Sequence, residues 1–220
     1  MSNAGDNERP SYPPTRTEDV VDHLHGVAVA DPYRWLEDAD SPEVREWTEA
    51  QNACTRSVLD GLPGRDEIHA RLGALLEIGH LGTPAPVKGR YFYTRRQGQQ
   101  NQAILCVREG RAGPERILLD PNALAEDGTV ALDWWYPSRD GTLLAYGLSR
   151  NGSEQSTLYV RDVGTGRDLP DVLDRTRACS VAWLPDATGF YYTRYPAPGS
   201  VPAGEENYHR HVYLHHLGDR

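Results

Sequence analysis

The sequence predicts a mainly β fold, an incomplete β-propeller preceded by an amino-terminal helical segment, and three observations carry that prediction. From Gly79 onward, short segments alternate apolar with polar residues and are parted by turn residues. Parts of these segments recur at a period near 50 residues, that of a propeller blade built from four short strands. Before Gly79 the apolar period is that of helices instead.

Residues 1–11 are polar and are expected to form a disordered tail. His23 and His25 are read as standing in a predicted loop, where solvent or capping roles are expected of them. Ser41-Pro42-Glu43 reads as a helix start. The serine side chain is expected to accept from an orphan backbone N–H, proline needs no donor at the first position, and the carboxylate suits the positive helix end. Val44, Trp47, Gln51, Cys54 and Val58 then recur at steps of three and four, so the predicted helix runs from Pro42 to Leu59. Ile68, Leu72, Leu75 and Leu76 predict a second helix from Arg65 to Leu76.

Strands are predicted at Arg90 to Arg95, Ala103 to Arg108, Arg116 to Leu119, Leu132 to Tyr136, Thr142 to Leu148, Thr157 to Val163, Ser180 to Leu184, Phe190 to Tyr195 and His211 to Leu217. Trp135, Pro137 and Gly141 reappear as Trp183, Pro185 and Gly189 at an offset of roughly 48, and Leu119-Asp120 as Leu173-Asp174 at roughly 54. Trp135 and Trp183 are therefore expected at equivalent places, on the first strands of their blades and buried between sheets. Blades are expected near residues 80–126 and 130–175, with a third whose outer strand would lie beyond Arg220. Three blades do not close a ring, so the chain is expected to be part of a larger protein.

Charge and composition exclude several function classes. Acidic residues outnumber basic ones by 32 to 23, and Lys88 is the lone lysine, so no basic run follows a phosphate backbone and no nucleic-acid partner is expected. No segment approaches the roughly 18 apolar residues of a membrane span, and the start lacks the apolar stretch of a secretory signal. A soluble, cytoplasmic protein is the expectation, and the odd, widely spaced Cys54, Cys106 and Cys179 suit reduced thiols.

Few side chains point to chemistry. The nucleophile motif Gly-x-Ser-x-Gly is absent, and Ser149 in Gly147-Leu-Ser149 ends a strand where that motif needs a strand-to-helix elbow. No catalytic residue is assigned. His209, His211, His215 and His216 invite a metal reading, but no carboxylate or cysteine stands at fitting spacing, so no metal and no cofactor are expected. The clusters Tyr91-Phe-Tyr93, Trp134-Trp-Tyr136 and Phe190-Tyr-Tyr192 lack interleaved basic residues and read as packing between blades.

His25-Gly-Val-Ala-Val-Ala-Asp-Pro-Tyr-Arg-Trp-Leu-Glu-Asp38, followed by Glu49-Ala-Gln-Asn52, resembles the amino-terminal signature of prolyl oligopeptidases. The resemblance continues through Leu119-Asp-Pro-Asn-Ala-Leu124, Asp127-Gly-Thr-Val-Ala-Leu132, Ala145-Tyr-Gly-Leu-Ser149 and Leu169-Pro-Asp-Val-Leu-Asp174. It implies a serine endopeptidase that cuts short peptides after proline, with a hydrolase domain gated by a seven-bladed propeller. Residues 12–78 would then pack on that hydrolase domain, which is the implied partner, and residues 79–220 would form blades one to three, the third incomplete. The family's Ser, Asp and His belong to sequence outside this chain, so the chain alone is expected to be inactive.

The same resemblance places Glu154 in a loop that carries an acidic residue near the internal substrate cavity, although a solvated loop carboxylate is the plainer reading. It places Ala178 where the family carries an aromatic residue lining the pocket for the substrate residue two places before the cleaved proline. A slip of one or two residues around Arg177-Ala-Cys-Ser180 is the alternative. The competing function is a non-catalytic propeller scaffold for protein partners, against which Asp31-Pro-Tyr-Arg-Trp-Leu-Glu37 argues.

Overall fold

The computed structural model describes residues 11–219. Most of the tail expected at residues 1–11 lies outside them. The chain forms two compact units that divide between Gly73 and Ala74, inside the second helix rather than at the change of period at Gly79.

The first unit opens on a hairpin of β1 (Val21–Leu24) and β2 (Val27–Ala30). Its two-residue turn places His25 at φ 51° and Gly26 at φ 82°, the left-handed pair that matches strand twist in a type I′ turn. His25 thus sits in the turn, whereas His23 stands on β1, not in a loop. Short strands without alternation between apolar and polar residues gave no strand signal there.

Helix α1 (Pro42–Leu59) and helix α2 (Arg65–Leu76) have the predicted bounds. Along α1, Trp47 Nε1 donates to Thr15 Oγ1 at 3.0 Å, Gln51 to the Pro13 carbonyl at 3.5 Å, and Cys54 Sγ lies 3.6 Å from the Ser11 carbonyl. The extended segment 11–16 therefore covers the predicted stripe, yet Val44 alone in α1 becomes buried. Helix α2 buries nothing: Ile68 is 62% exposed and Leu76 63%.

Proline does stand at the first position of α1, but the Ser41 side chain makes no capping bond. The Ser41 carbonyl instead accepts from Arg45 N at 3.1 Å, and Arg16 clamps Glu43 at 2.7 Å in the first turn. Ser41→Ala should accordingly change stability by less than about 0.5 kcal/mol, where loss of a working cap typically costs about 1 kcal/mol. Urea unfolding monitored by helical circular dichroism measures the difference.

The second unit holds three antiparallel sheets. In the first, β3 (His80–Leu81) and β4 (Ala85–Val87) share one edge of β5 (Arg90–Arg96), followed by β6 (Ile104–Glu109) and β7 (Glu115–Leu119). Gly82 interrupts that edge and approaches Thr94 so closely that an added Cβ would fall 2.4 Å from Oγ1. The second sheet runs β8 (Val130–Pro137), β9 (Leu143–Arg150), β10 (Thr157–Asp162) and β11 (Asp168–Leu173) in sequence order. The third runs β12 (Val181–Trp183), β13 (Gly189–Arg194) and β14 (His211–His216). Strand β11, absent from the predicted strands, tolerates Pro170 because it is an edge strand whose pairing with β10 slips there.

Alternation along the strands builds the core. Leu144 and Tyr146 of β9 turn towards the first sheet and pack with Phe92, Leu105 and Val107. Ala145 of the same strand turns the other way and packs with Leu158, Val160, Trp183, Phe190 and Tyr192. Arg161 ties the first interface, pairing with Asp168, donating to Tyr146 Oη at 3.1 Å and reaching the Leu118 carbonyl of the first sheet. The aromatic clusters read as packing residues do supply these cores, with Phe92 and Phe190 fully buried.

The repeat register differs from the one read in the sequence. Pro137 pairs with Leu144 and Trp183 pairs with Phe190, while Ser138 N bonds Leu143 O and Leu184 N bonds Gly189 O. Asp140 and Asp186 cap the two turns alike, each accepting from a threonine two residues on. Trp183 therefore stands where Pro137 does, two residues later in the repeat than Trp135. Both tryptophans lie on the first strand of their sheets, but only Trp183 is buried, at 6% exposure, and Trp135 is half-buried. The paired tryptophans were the wrong anchor, because the turn Asp, not the ring, fixes the phase of each hairpin.

Candidate functional site

Strands β9, β11 and β13 all end on one side of their sheets, so the connections 151–156, 174–180 and 195–210 gather there. Backbone bonds join them: Thr176 N donates to the Ser156 carbonyl at 3.1 Å and Tyr195 N to the Arg175 carbonyl at 3.0 Å. The buried Thr176 hydroxyl adds a second bond to Ser156 at 2.8 Å.

Glu154 and Ala178 occupy the first two of these connections, both exposed and both in the left-handed region, at φ 57° and 45°. Neither is glycine, and each such residue costs of order 1–3 kcal/mol unless its surroundings hold it. Arg177 brings them together. Its guanidinium lies 3.0 Å from the Glu154 carboxylate and 3.5 Å from Asn207 Oδ1, while Arg210 donates to the Ala178 carbonyl at 3.0 Å and lies over the Tyr195 ring. With Glu154 about 70% exposed, the ion pair contributes no more than about 1 kcal/mol, but it fixes where the carboxylate points. Sequence reading named Glu154 and Ala178 but not the groups that hold them, Arg177, Asn207 and Arg210, whose partners come from other connections.

No nucleophile is assembled here. Ser149 is buried at 3% exposure, and its hydroxyl donates to Asp133 Oδ1 at 2.9 Å, with Ser156 on the other carboxylate oxygen. The serine thus ties β9 to the bulge in β8, as a structural residue does. The four late histidines are dispersed: His209 meets Glu205 at 2.6 Å, His211 stacks on Tyr213, His215 is buried against Asp171 at 2.7 Å, and His216 is exposed. Among the described residues no three His, Cys, Asp or Glu side chains group as a metal site. Among the described residues no helix is long and apolar enough to cross a membrane.

A second concave place lies on the outer face of the first sheet, a cavity of about 590 Å³. Tyr91, Arg108 and Glu115 stand in one cross-strand row, and Tyr93 and Cys106 in the next. Tyr93 Oη donates to Glu115 Oε2 at 2.6 Å, and the Arg95 guanidinium meets Oε1 at 2.8 Å. The tyrosine hydrogen bond, more than the arginine, holds the Glu115 carboxyl below the usual range, while burial pushes the Cys106 thiol up to about 11.

The comparisons with known proteins agree with this architecture. The family described as Prolyl oligopeptidase, N-terminal beta-propeller domain, matches residues 12–220. A prolyl endopeptidase of Elizabethkingia meningoseptica is 33% identical over 95% of this chain and 30% of its own length. Prolyl oligopeptidase A of Amanita bisporigera is 32% identical over 86% of this chain and 28% of its own. A solved chain from a study of two prolyl endopeptidases and their inter-domain dynamics superposes with a TM-score of 0.86 at 42% identity, covering 96% of this chain and 31% of that one. Prolyl oligopeptidase B from Galerina marginata, solved with a 35mer hydrolysis and macrocyclization substrate, gives 0.77 at 28% identity, covering 96% of this chain and 33% of that one. The chain spans about 30% of the length of the curated relatives it matches. On these grounds the chain belongs to the prolyl oligopeptidase family, and its residues 12–220 correspond to that family's amino-terminal propeller region.

Proposed function

We propose that this chain is the amino-terminal and partial propeller portion of a cytoplasmic serine endopeptidase that cleaves short peptides after proline. In this reading α1 and α2 brace a hydrolase domain outside the chain, and the three sheets are the first of seven blades that gate it. The chain itself performs no chemistry. The observation that carries the reading is the asymmetry of coverage, since most of this chain matches only about a third or less of each relative. The exposed α2 stripe supports the bracing role, and three free cysteines suit a reducing compartment.

Glu154 and Ala178 belong to the wall of the substrate cavity on this reading. The Glu154 carboxylate, fixed by Arg177, offers a hydrogen-bond acceptor to a peptide N–H or amine. Ala178 offers no ring to stack on, so the neighbouring subsite holds its residue loosely and admits bulkier groups. In the intact enzyme a serine attacks the carbonyl of the proline residue, a histidine takes the serine's proton and gives it to the leaving amine, and backbone N–H groups hold the oxyanion. None of those groups is furnished by the residues described above.

A serine-directed fluorophosphonate tests the proposal directly. The 220-residue chain should remain unlabelled and should not release a chromophore from a peptide with proline before the leaving group. Stoichiometric labelling of any serine would overturn it.

A further inference from the structure

Asn151 is the one asparagine of this sequence that a glycine follows. It opens the connection between β9 and β10, where Asn151 at φ 54° and Gly152 at φ 67° form the left-handed pair of a type I′ turn. Both residues are exposed, and a Cβ built on Gly152 would meet nothing within 4 Å. Comparable side chains elsewhere are held. Asp127, before Gly128, accepts from Thr129 N at 3.0 Å, and Asp140, before Gly141, accepts from Thr142 N at 3.0 Å. Asn122 donates to the Gln102 carbonyl at 3.0 Å, and Asn207 receives Arg177 at 3.5 Å. Among the described residues the Asn151 carboxamide makes no hydrogen bond, and Gly152 N has no backbone acceptor.

A free carboxamide beside an unhindered amide nitrogen is set for intramolecular ring closure, and asparagine is a thermolabile residue for that reason. The Gly152 nitrogen, its proton given to hydroxide, attacks Asn151 Cγ. The Cγ–Nδ2 bond breaks, and ammonia leaves with a proton taken from water. Water then opens the five-membered imide. Opening at Cγ leaves aspartate, whereas opening at the backbone carbonyl carbon leaves isoaspartate, with the chain running through Cβ and Cγ. In sum an amide and water become a carboxylate and ammonium, and nothing is oxidised or reduced. Closing the ring requires the Asn151–Gly152 peptide to rotate. That rotation gives up one bond, Ser153 N to the Arg150 carbonyl at 3.0 Å, while Asn151 N keeps the Thr129 carbonyl at 3.0 Å. Glycine, without a Cβ, leaves the rotation free at its own position.

We infer that Asn151 is a site of spontaneous deamidation, which places a new carboxylate in the connection that carries Glu154. The isoaspartyl form also adds one carbon to the main chain inside the turn. Ser153 N then loses the Arg150 carbonyl, and Glu154, held at φ 57° against Arg177, is released from that geometry. The chemistry belongs to the residues of this turn and holds whether or not a hydrolase domain is present.

Peptide mass mapping of the 220-residue chain, aged folded in mildly alkaline buffer at body temperature and aged unfolded in guanidinium chloride, measures the conversion. The peptide holding Asn151 should gain one mass unit and divide into aspartate and isoaspartate forms, separable by backbone fragmentation. An exposed turn opens at little cost, so the folded rate should stay within about tenfold of the unfolded one. Asn52, Asn101, Asn122 and Asn207 should keep their amides over the same time. Asn151→Gln, whose longer side chain closes the ring poorly, should abolish the mass gain. Gly152→Ala, with a Cβ beside the attacking nitrogen, should slow it at least about tenfold. Thermal melts check that both variants fold. In the isoaspartyl form, amide exchange at Ser153 and Ser156 should be several-fold faster, with β9 unchanged. An Asn151 that keeps its amide in the folded chain while the unfolded sample converts would overturn the inference, and so would equal conversion at Asn101. Unchanged exchange at Ser153 and Ser156 after conversion would overturn the link to Glu154. Fluorophosphonate labelling is unaffected by each of these outcomes, so the two readings fail separately.

Discussion

Phe190→Ala should destabilise the propeller unit by about 3–5 kcal/mol, enough to unfold a marginal fragment, because the ring is wholly removed from water and no neighbour can collapse into its place. Its centroid lies 5.0 Å from Trp183, 5.3 Å from His215 and 5.8 Å from Tyr192, and the first two are each held by a bond of their own. Trp183 Nε1 donates to the Tyr136 carbonyl at 3.0 Å, and His215 is tied to Asp171. Removing the ring leaves a cavity lined by side chains that cannot move without giving up those bonds. Tyr191→Ala, one residue along the same strand, is the control. Tyr191 points to the other face and is 47% exposed, so its loss should cost less than about 1 kcal/mol. Urea midpoints measure both changes. Equal losses would show that the third sheet is not packed on the second through this face.

Which parts of this fold could be read in advance follows from where the information sits. Helix α1 was legible to its end residues, because Ser41-Pro42 and Gly61-Leu-Pro-Gly64 punctuate a stripe at helical spacing. The sheets were legible because nearly every strand is bounded by a turn whose chemistry is local, as in Asp140-Gly141. The β1–β2 hairpin was not, since its strands carry no alternation, and its His25-Gly26 turn is a weak signal without the asparagine that usually marks it. The phase of the repeat went astray because two tryptophans look like a match, while the physical equivalence is set by hydrogen bonds across the turn. Ser41 failed as a cap for the same reason. A side-chain bond is a matter of rotamer and competition, which residue type alone does not fix.

The candidate site divides in the same way. Glu154 and Ala178 came from resemblance to a family, and no spacing in this sequence joins them. Their link through Arg177, and the link of Arg210 to the Ala178 carbonyl, arise from connections brought side by side by three separate sheet edges. The arginine-lined face was equally invisible. Arg95, Arg108 and Glu115 share a face only because β5, β6 and β7 pair in one register, and a slip of one residue would turn each to the opposite side.

Hydrogen exchange should separate the two units sharply, with amides of β9 protected at least about a hundredfold more than those of α1. Strand β9 is bonded to β8 on one edge and β10 on the other, and sheets pack on both its faces. Opening it breaks two ladders and two apolar interfaces together. Helix α1 buries a single side chain, Val44, and α2 buries none, so each can unravel while giving up little apolar contact. Their exposed stripes, with Ile68, Leu72 and Leu76, and the open face of the third sheet, with Tyr191, Val212 and Leu214, leave apolar area in water at about 25 cal/mol per Å². Strand β14 adds an unpaired edge to that open face, among the described residues. Such surfaces gain free energy by meeting one another, so the isolated chain should self-associate in sedimentation at micromolar concentration. A mass that stays monomeric, together with equally slow exchange in Val44 to Val58 and in Leu143 to Arg150, would mean that these faces need no cover. The proposal that a hydrolase domain and further blades complete them would then lose its physical basis, because a part that is already stable alone has no unmet surface for the missing parts to satisfy.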